Sequence, residues 1–105
     1  MSIPDFQSVM LPLLQFAAAS PTTERSSREA IDFLANHLKL TEQERTELLP
    51  SGRQPIFDNR VGWATTYFKK AGLLSSSKRG FFKITQRGLD LLETKPPKVN
   101  VRLLK

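Results

Sequence analysis

Apolar residues repeating at helical spacing, two reciprocal helix caps and one short basic hairpin predict a mainly α fold with a small β element. The repeats of three and four residues recur in most segments up to Glu93. The caps are Ser26 with Glu29 and Thr41 with Glu44. Strand-like patterning is confined to residues 73–84. At 105 residues the chain is sized for one domain, expected over 1–95, with a basic tail over 96–105.

The first helix is expected from Asp5 to Ala18. Phe6, Val9, Met10, Leu13, Leu14 and Ala17 form one stripe, and Pro12 should kink or divide the helix. Ser20 to Thr23 reads as a loop. Ser26 then caps a helix running to about Leu38, with Ala30, Ile31, Phe33, Leu34 and Leu38 inward. Thr41 opens a shorter helix ending near Leu49, where Pro50-Ser51-Gly52 breaks it. After a loop from Arg53 to Phe57, Asp58 is the expected N-cap of a helix from Asn59 to Ala71, stopped by Gly72.

On that helix Val61, Ala64, Phe68 and Ala71 fall on one side, with Tyr67 at its edge. Asn59, Gly62, Thr66, Lys69 and Lys70 fall on the other, and Trp63 lies on the boundary. The spacing of Trp63, Tyr67 and Phe68 predicts core packing. Residues 73–84 form a two-stranded hairpin with a basic tip at Lys78-Arg79, pairing Phe82 with Ile84 on one face and Phe81 with Lys83 on the other. Thr85 caps a last helix to about Glu93, with Leu89 and Leu92 inward. This order, ending in a helix, a hairpin and a helix, is that of a winged helix-turn-helix.

Charge divides along the chain. The first fifty residues hold four bases and seven acids, and the remainder holds twelve bases and three acids, giving the net +6. From Arg53 to Arg87 there are eight bases and a single acid, Asp58. A continuous basic stretch implies a polyanionic partner. Here the stretch covers a helix, the loop before it and the hairpin after it, which is the footprint of a helix in a DNA groove with a wing on the backbone.

Asn59 and Thr66 are short, polar and outward, suited to base edges. Gly62 lets the helix approach closely. Lys69 and Lys70 suit phosphates, Lys78, Arg79 and Lys83 on the wing suit phosphates or the minor groove, Arg60 belongs to the same DNA-binding set, and Arg53 and Gln54 extend the surface from the preceding loop. Each residue has a simpler reading. Lys69 and Lys70 also complement a helix dipole, Lys78 and Arg79 also solubilise a hairpin tip, and His37 reads as an isolated surface residue. The combination favours duplex DNA. A protein-interaction winged helix docking an acidic partner is the alternative.

The absence of cysteine removes disulfides, thiolate metal sites and thiol nucleophiles, and fits a cytoplasmic protein. No secretory signal is visible, and no apolar run approaches the roughly 18 residues of a membrane span. No nucleophile–base set or metal-spaced carboxylate pair supports catalysis. Glu93-Thr94-Lys95 has an E-x-K spacing but lacks a strand and a paired aspartate, and reads as chance. The chain is therefore expected to be non-catalytic, without a cofactor of its own. Dimerisation is left open.

The segment LPSGRQPIFDNRVGWATTYFKKAGLL at Leu49 to Leu74, with GFFKITQRGLDLL at Gly80 to Leu92, resembles the N-terminal domain of Mrr-type restriction endonucleases. Ile3 to Phe6 and Ser27 to Ile31 are similar to that family too. The resemblance implies a winged-helix DNA-binding domain ahead of a PD-(D/E)xK nuclease domain. It further implies a type IV enzyme that cuts methylated DNA with a divalent metal held in the nuclease part. Residues 96–105 look like the run into such a domain, so that this chain is a fragment or a stand-alone relative.

Overall fold

The computed structural model describes residues 6–94; Asp5 and the expected tail over 96–105 lie outside them. The described residues form helix α1 (Phe6–Ala18), strand β1 (Arg25–Ser26), helices α2 (Ser27–His37), α3 (Glu42–Thr46) and α4 (Ile56–Ala71), strands β2 (Leu74–Ser75) and β3 (Phe81–Ile84), and helix α5 (Gln86–Glu93). The fold is mainly helical with one small antiparallel sheet, strand order β1-β3-β2.

Helix α1 is central, packing on α4 most extensively and also on α2, α5 and β3. Pro12 does not divide it. An interior proline costs about 3 kcal/mol, but Val9, Met10, Leu13 and Leu14 flank it fully buried, and each such side chain contributes roughly 1.5–3 kcal/mol. Both capping boxes form. The Ser26 hydroxyl accepts from the Glu29 N–H while the Glu29 carboxylate accepts from the Ser26 N–H, both at 3.0 Å. Thr41 and Glu44 do the same at 3.1 and 2.8 Å, which also satisfies the buried Glu44 carboxylate.

Several expectations change. Helix α3 stops at Thr46, because the chain turns at Glu47 to let its carbonyl accept from the Ile56 N–H at 2.8 Å. Leu48 then bridges Pro55 and stays exposed. Helix α4 begins at Ile56 with Pro55 as N-cap, not Asp58. Proline's fixed φ already suits helix entry, so no side-chain cap is used and Asp58 sits within the first turn. Phe33 is 43% exposed rather than inward, while Ala35 takes a buried place. The hairpin gains a third strand, with Arg25 opposite Phe82 and Ser26 opposite Phe81.

The hairpin is anchored as its alternation predicts. Phe82 and Ile84 are buried, and Phe81 and Lys83 are half-buried on the other face. Leu74 pairs with Ile84 and Ser75 with Lys83. Gly72 ends α4 in the left-handed region, φ +81°. Thr85 joins three elements there: its hydroxyl donates to the Gly72 carbonyl at 2.6 Å and accepts from the Gly88 N–H at 3.2 Å, capping α5. Gly88 permits close packing, since a Cβ there would lie 2.6 Å from the Leu73 carbonyl oxygen.

Candidate nucleic-acid interface

The buried side of α4 is Phe57, Val61, Ala64, Thr65 and Phe68. The Thr65 hydroxyl donates to the Val61 carbonyl at 2.9 Å and so needs no other partner. A helix filled on one side must present the rest of its circumference outward. Gly62, Thr66, Lys69 and Lys70 are exposed, as the spacing predicts, and Asn59 is half-buried. A Cβ on Gly62 would meet nothing within 4 Å, so this glycine leaves open space rather than a tight internal contact. The exposed Thr66 donates its hydroxyl to the Gly62 carbonyl at 3.0 Å, which leaves the oxygen's acceptor capacity unused by that bond.

The loop before α4 joins this surface. Asn59 Nδ2 donates to Gln54 Oε1 at 3.3 Å. Arg53 is exposed, with its N–H on the Ser51 hydroxyl at 3.4 Å. Arg60 is half-buried. Lys69 and Lys70 lie in the last turn of α4, three and two residues before Gly72, the glycine that turns the chain toward β2. Among the described residues neither lysine makes an ion pair, so their charge is offered to solvent as well as to the helix dipole.

The hairpin tip is built from several contacts. The Ser76 hydroxyl lies 2.6 Å from the carbonyl oxygens of both Lys78 and Phe81, and the Phe81 N–H donates to the Lys78 carbonyl at 3.3 Å. The Lys78 ammonium sits 4.2 Å above the Phe81 ring, a cation–π contact that holds the side chain over the hairpin. Arg79 is exposed and Lys83 half-buried.

Three features were missed from sequence. Glu24 holds the tip from outside: its carboxylate accepts the Ser77 N–H at 3.1 Å and the Ser77 hydroxyl at 2.8 Å. Those bonds, with Lys78 and Lys83 nearby, hold its carboxyl below the usual range. Nothing local signals a contact spanning 53 residues. Asp58 turns to Arg28 at 3.8 Å, on α2. Burial raises the Asp58 carboxyl above its usual value, against the pull of Arg28 and Arg45 and with the help of Asp32. Trp63, expected in the core, is 52% exposed. A signal existed, because it lies four residues after Asn59 and three before Thr66 and so shares their side of the helix.

The arrangement is a small helical domain that presents a polar and basic helix face, with a basic hairpin following that helix. Residues 6–94 match the Mrr N-terminal domain, and the chain belongs to that family. It is 31% identical over 96 residues to a protein of Escherichia coli (strain K12) named type IV methyl-directed restriction enzyme EcoKMrr. The match covers 91% of this chain and 31% of that protein, so the chain spans about a third of its relative's length. No solved structure matches. Among the described residues, no helix is long and apolar enough to cross a membrane.

Proposed function

We propose that this domain is a winged helix that binds duplex DNA in the cytoplasm, with α4 in the major groove and the β2–β3 hairpin along the backbone. Within an Mrr-type enzyme it would deliver a metal-dependent nuclease to its site, needing no cofactor itself. The observation that carries this reading is the outward side of α4. It has short polar groups at Asn59 and Thr66, no side chain at Gly62, and two exposed lysines at its end. Asp58, the single acid between Arg53 and Arg87, is drawn toward Arg28. Strand β1, lying between the first two helices in sequence, pairs with the hairpin to make a three-stranded sheet, which supports the winged-helix reading.

Under this reading Asn59 and Thr66 contact base edges. Arg53, Gln54, Arg60, Lys69, Lys70, Lys78, Arg79 and Lys83 contact phosphates or the minor groove. The relative's name, methyl-directed, makes methylated duplexes the first substrates to try. Affinity for a random-sequence duplex, measured by anisotropy over a salt series, should fall steeply as counterions compete. A flat salt response would sink the reading.

A further inference from the structure

Trp63 is the chain's sole tryptophan. The residue is 52% exposed, and the buried residues of α4 are Phe57, Val61, Ala64, Thr65 and Phe68. Among the described residues the other large exposed apolar side chains are Phe33 and Leu48. Phe33 is flanked by Phe16 at 4.9 Å and His37 at 5.8 Å. Trp63 instead leans on the half-buried Tyr67, ring centroids 6.2 Å apart. Asn59, Thr66 and Lys70, at helical spacings of four, three and seven residues, share its side of α4. An apolar plate thus lies among short polar groups and a cation.

Phosphates and hydrogen-bonding base edges give an indole nothing to bury against. The apolar feature of a major groove is the C5-methyl group of a pyrimidine. Resting on the reading that α4 enters that groove, we propose that Trp63 is a specificity-determining residue. Its ring packs against a pyrimidine C5-methyl, which thymine and 5-methylcytosine both present. Tyr67 supports the ring from behind, and Asn59 and Thr66 reach polar edges beside it.

The test uses random-sequence duplex pools in matched pairs, thymine against uracil and cytosine against 5-methylcytosine. Binding of the whole chain is followed by anisotropy of labelled DNA and by emission of Trp63. The wild-type chain should favour a methyl-bearing pool by about fourfold, the worth of one buried methyl. Which pair shows the preference identifies the pyrimidine. Trp63 emission should shift to shorter wavelength as that pool saturates. In Trp63→Ala the ratio should fall to about one, and Trp63→Phe should keep part of it.

The proposal is overturned by an unshifted emission at saturation, or by a Trp63→Ala ratio equal to the wild-type one. A wild-type ratio of one with steep salt dependence overturns it while leaving the DNA reading intact. Binding to no pool removes both. A rise in 2-aminopurine fluorescence on binding would mean stacking on an extruded base, and would also overturn it. Because the emission readout uses the wild-type chain, it stands even where a variant fails to fold.

Discussion

Between β1 and α3, opposite charges face one another. Arg25 reaches Glu29 at 3.4 Å, the Ser20 hydroxyl at 2.9 Å and the Phe16 ring at 4.4 Å. Arg45 meets Asp32 at 2.6 Å. Glu29 and Glu44 close their capping boxes. From α4 through β3 the pattern is different. Lys69, Lys70 and Arg79 are exposed, and among the described residues they form no ion pair. Charge in the first region is used to fix helix ends and to join helices. In the second, these three cations fix no helix end and join no elements through an ion pair among the described residues. The comparison predicts a dissociation, in which variants of the first region alter stability and variants of the second alter binding.

The largest effect should come from reversing the two lysines at the end of α4. Lys69→Glu with Lys70→Glu should weaken duplex binding about a hundredfold at low salt, or about 2.7 kcal/mol. The logarithmic salt slope should fall by about two, one for each lost phosphate contact. Thermal unfolding should move little beyond the change in dipole complementarity, a few tenths to about 1 kcal/mol per lysine. Unfolding of the variant at ordinary temperature would break the comparison, because these lysines would then be structural.

Next in size is Gly88→Ala, which probes how firmly the hairpin is held. The added Cβ would meet the Leu73 carbonyl oxygen at 2.6 Å and Ile84 Cγ1 at 2.7 Å. A helix seated against backbone cannot move away cheaply, so a loss of about 2 kcal/mol is expected in chemical denaturation. Ser26→Ala should cost less, about 1 kcal/mol, by removing one half of the α2 capping box. It should leave duplex affinity unaltered. A change in salt slope on Ser26→Ala would blur the line between the regions.

The fold was legible where the signal is local. A capping box needs a single three-residue spacing and no tertiary information, so both were readable and both formed. Gly72 was readable because a left-handed terminus favours the residue without a Cβ. The two-residue strand β1 was not, since two residues carry no periodicity and its pairing with β3 is set by the distant hairpin. Phe33 and Trp63 illustrate another limit. An aromatic at helix-packing spacing predicts burial, but whether a neighbouring helix reaches it is decided by tertiary geometry. The basic helix face was legible from spacing, whereas the Glu24 latch on Ser77 was not. Asp58 misled because aspartate before an apolar repeat is a good cap, and Pro55 had already supplied the helix entry three residues earlier.

Asp58 gives the smallest expected effect and the finest test of the boundary, since it belongs to α4 but is turned toward Arg28 and the first region. Its side chain is 14% exposed, and burial holds its carboxyl above the aspartate value of 3.8. The folded chain therefore binds that proton more tightly than the unfolded chain. Stability contributed by this group is greatest at low pH and declines as pH rises from 3.8 through the raised folded value. Glu29 acts in the opposite direction. The Ser26 N–H bond, with Arg25 nearby, keeps its carboxyl low, so its contribution is present above 4.5 and is lost as pH falls through the lowered value. Asp58→Asn removes the cost of a buried charge and also the long ion pair to Arg28, a contact worth at most about 1 kcal/mol. The two changes oppose each other, so denaturation at neutral pH should shift by no more than about 0.5 kcal/mol. The acid-side loss of stability should become steeper, because the opposing titration has gone. Duplex affinity should rise modestly, since the basic stretch loses its one acid. A destabilisation well above 1 kcal/mol at neutral pH would instead make Asp58 the anchor of α4 that its place in the sequence suggests.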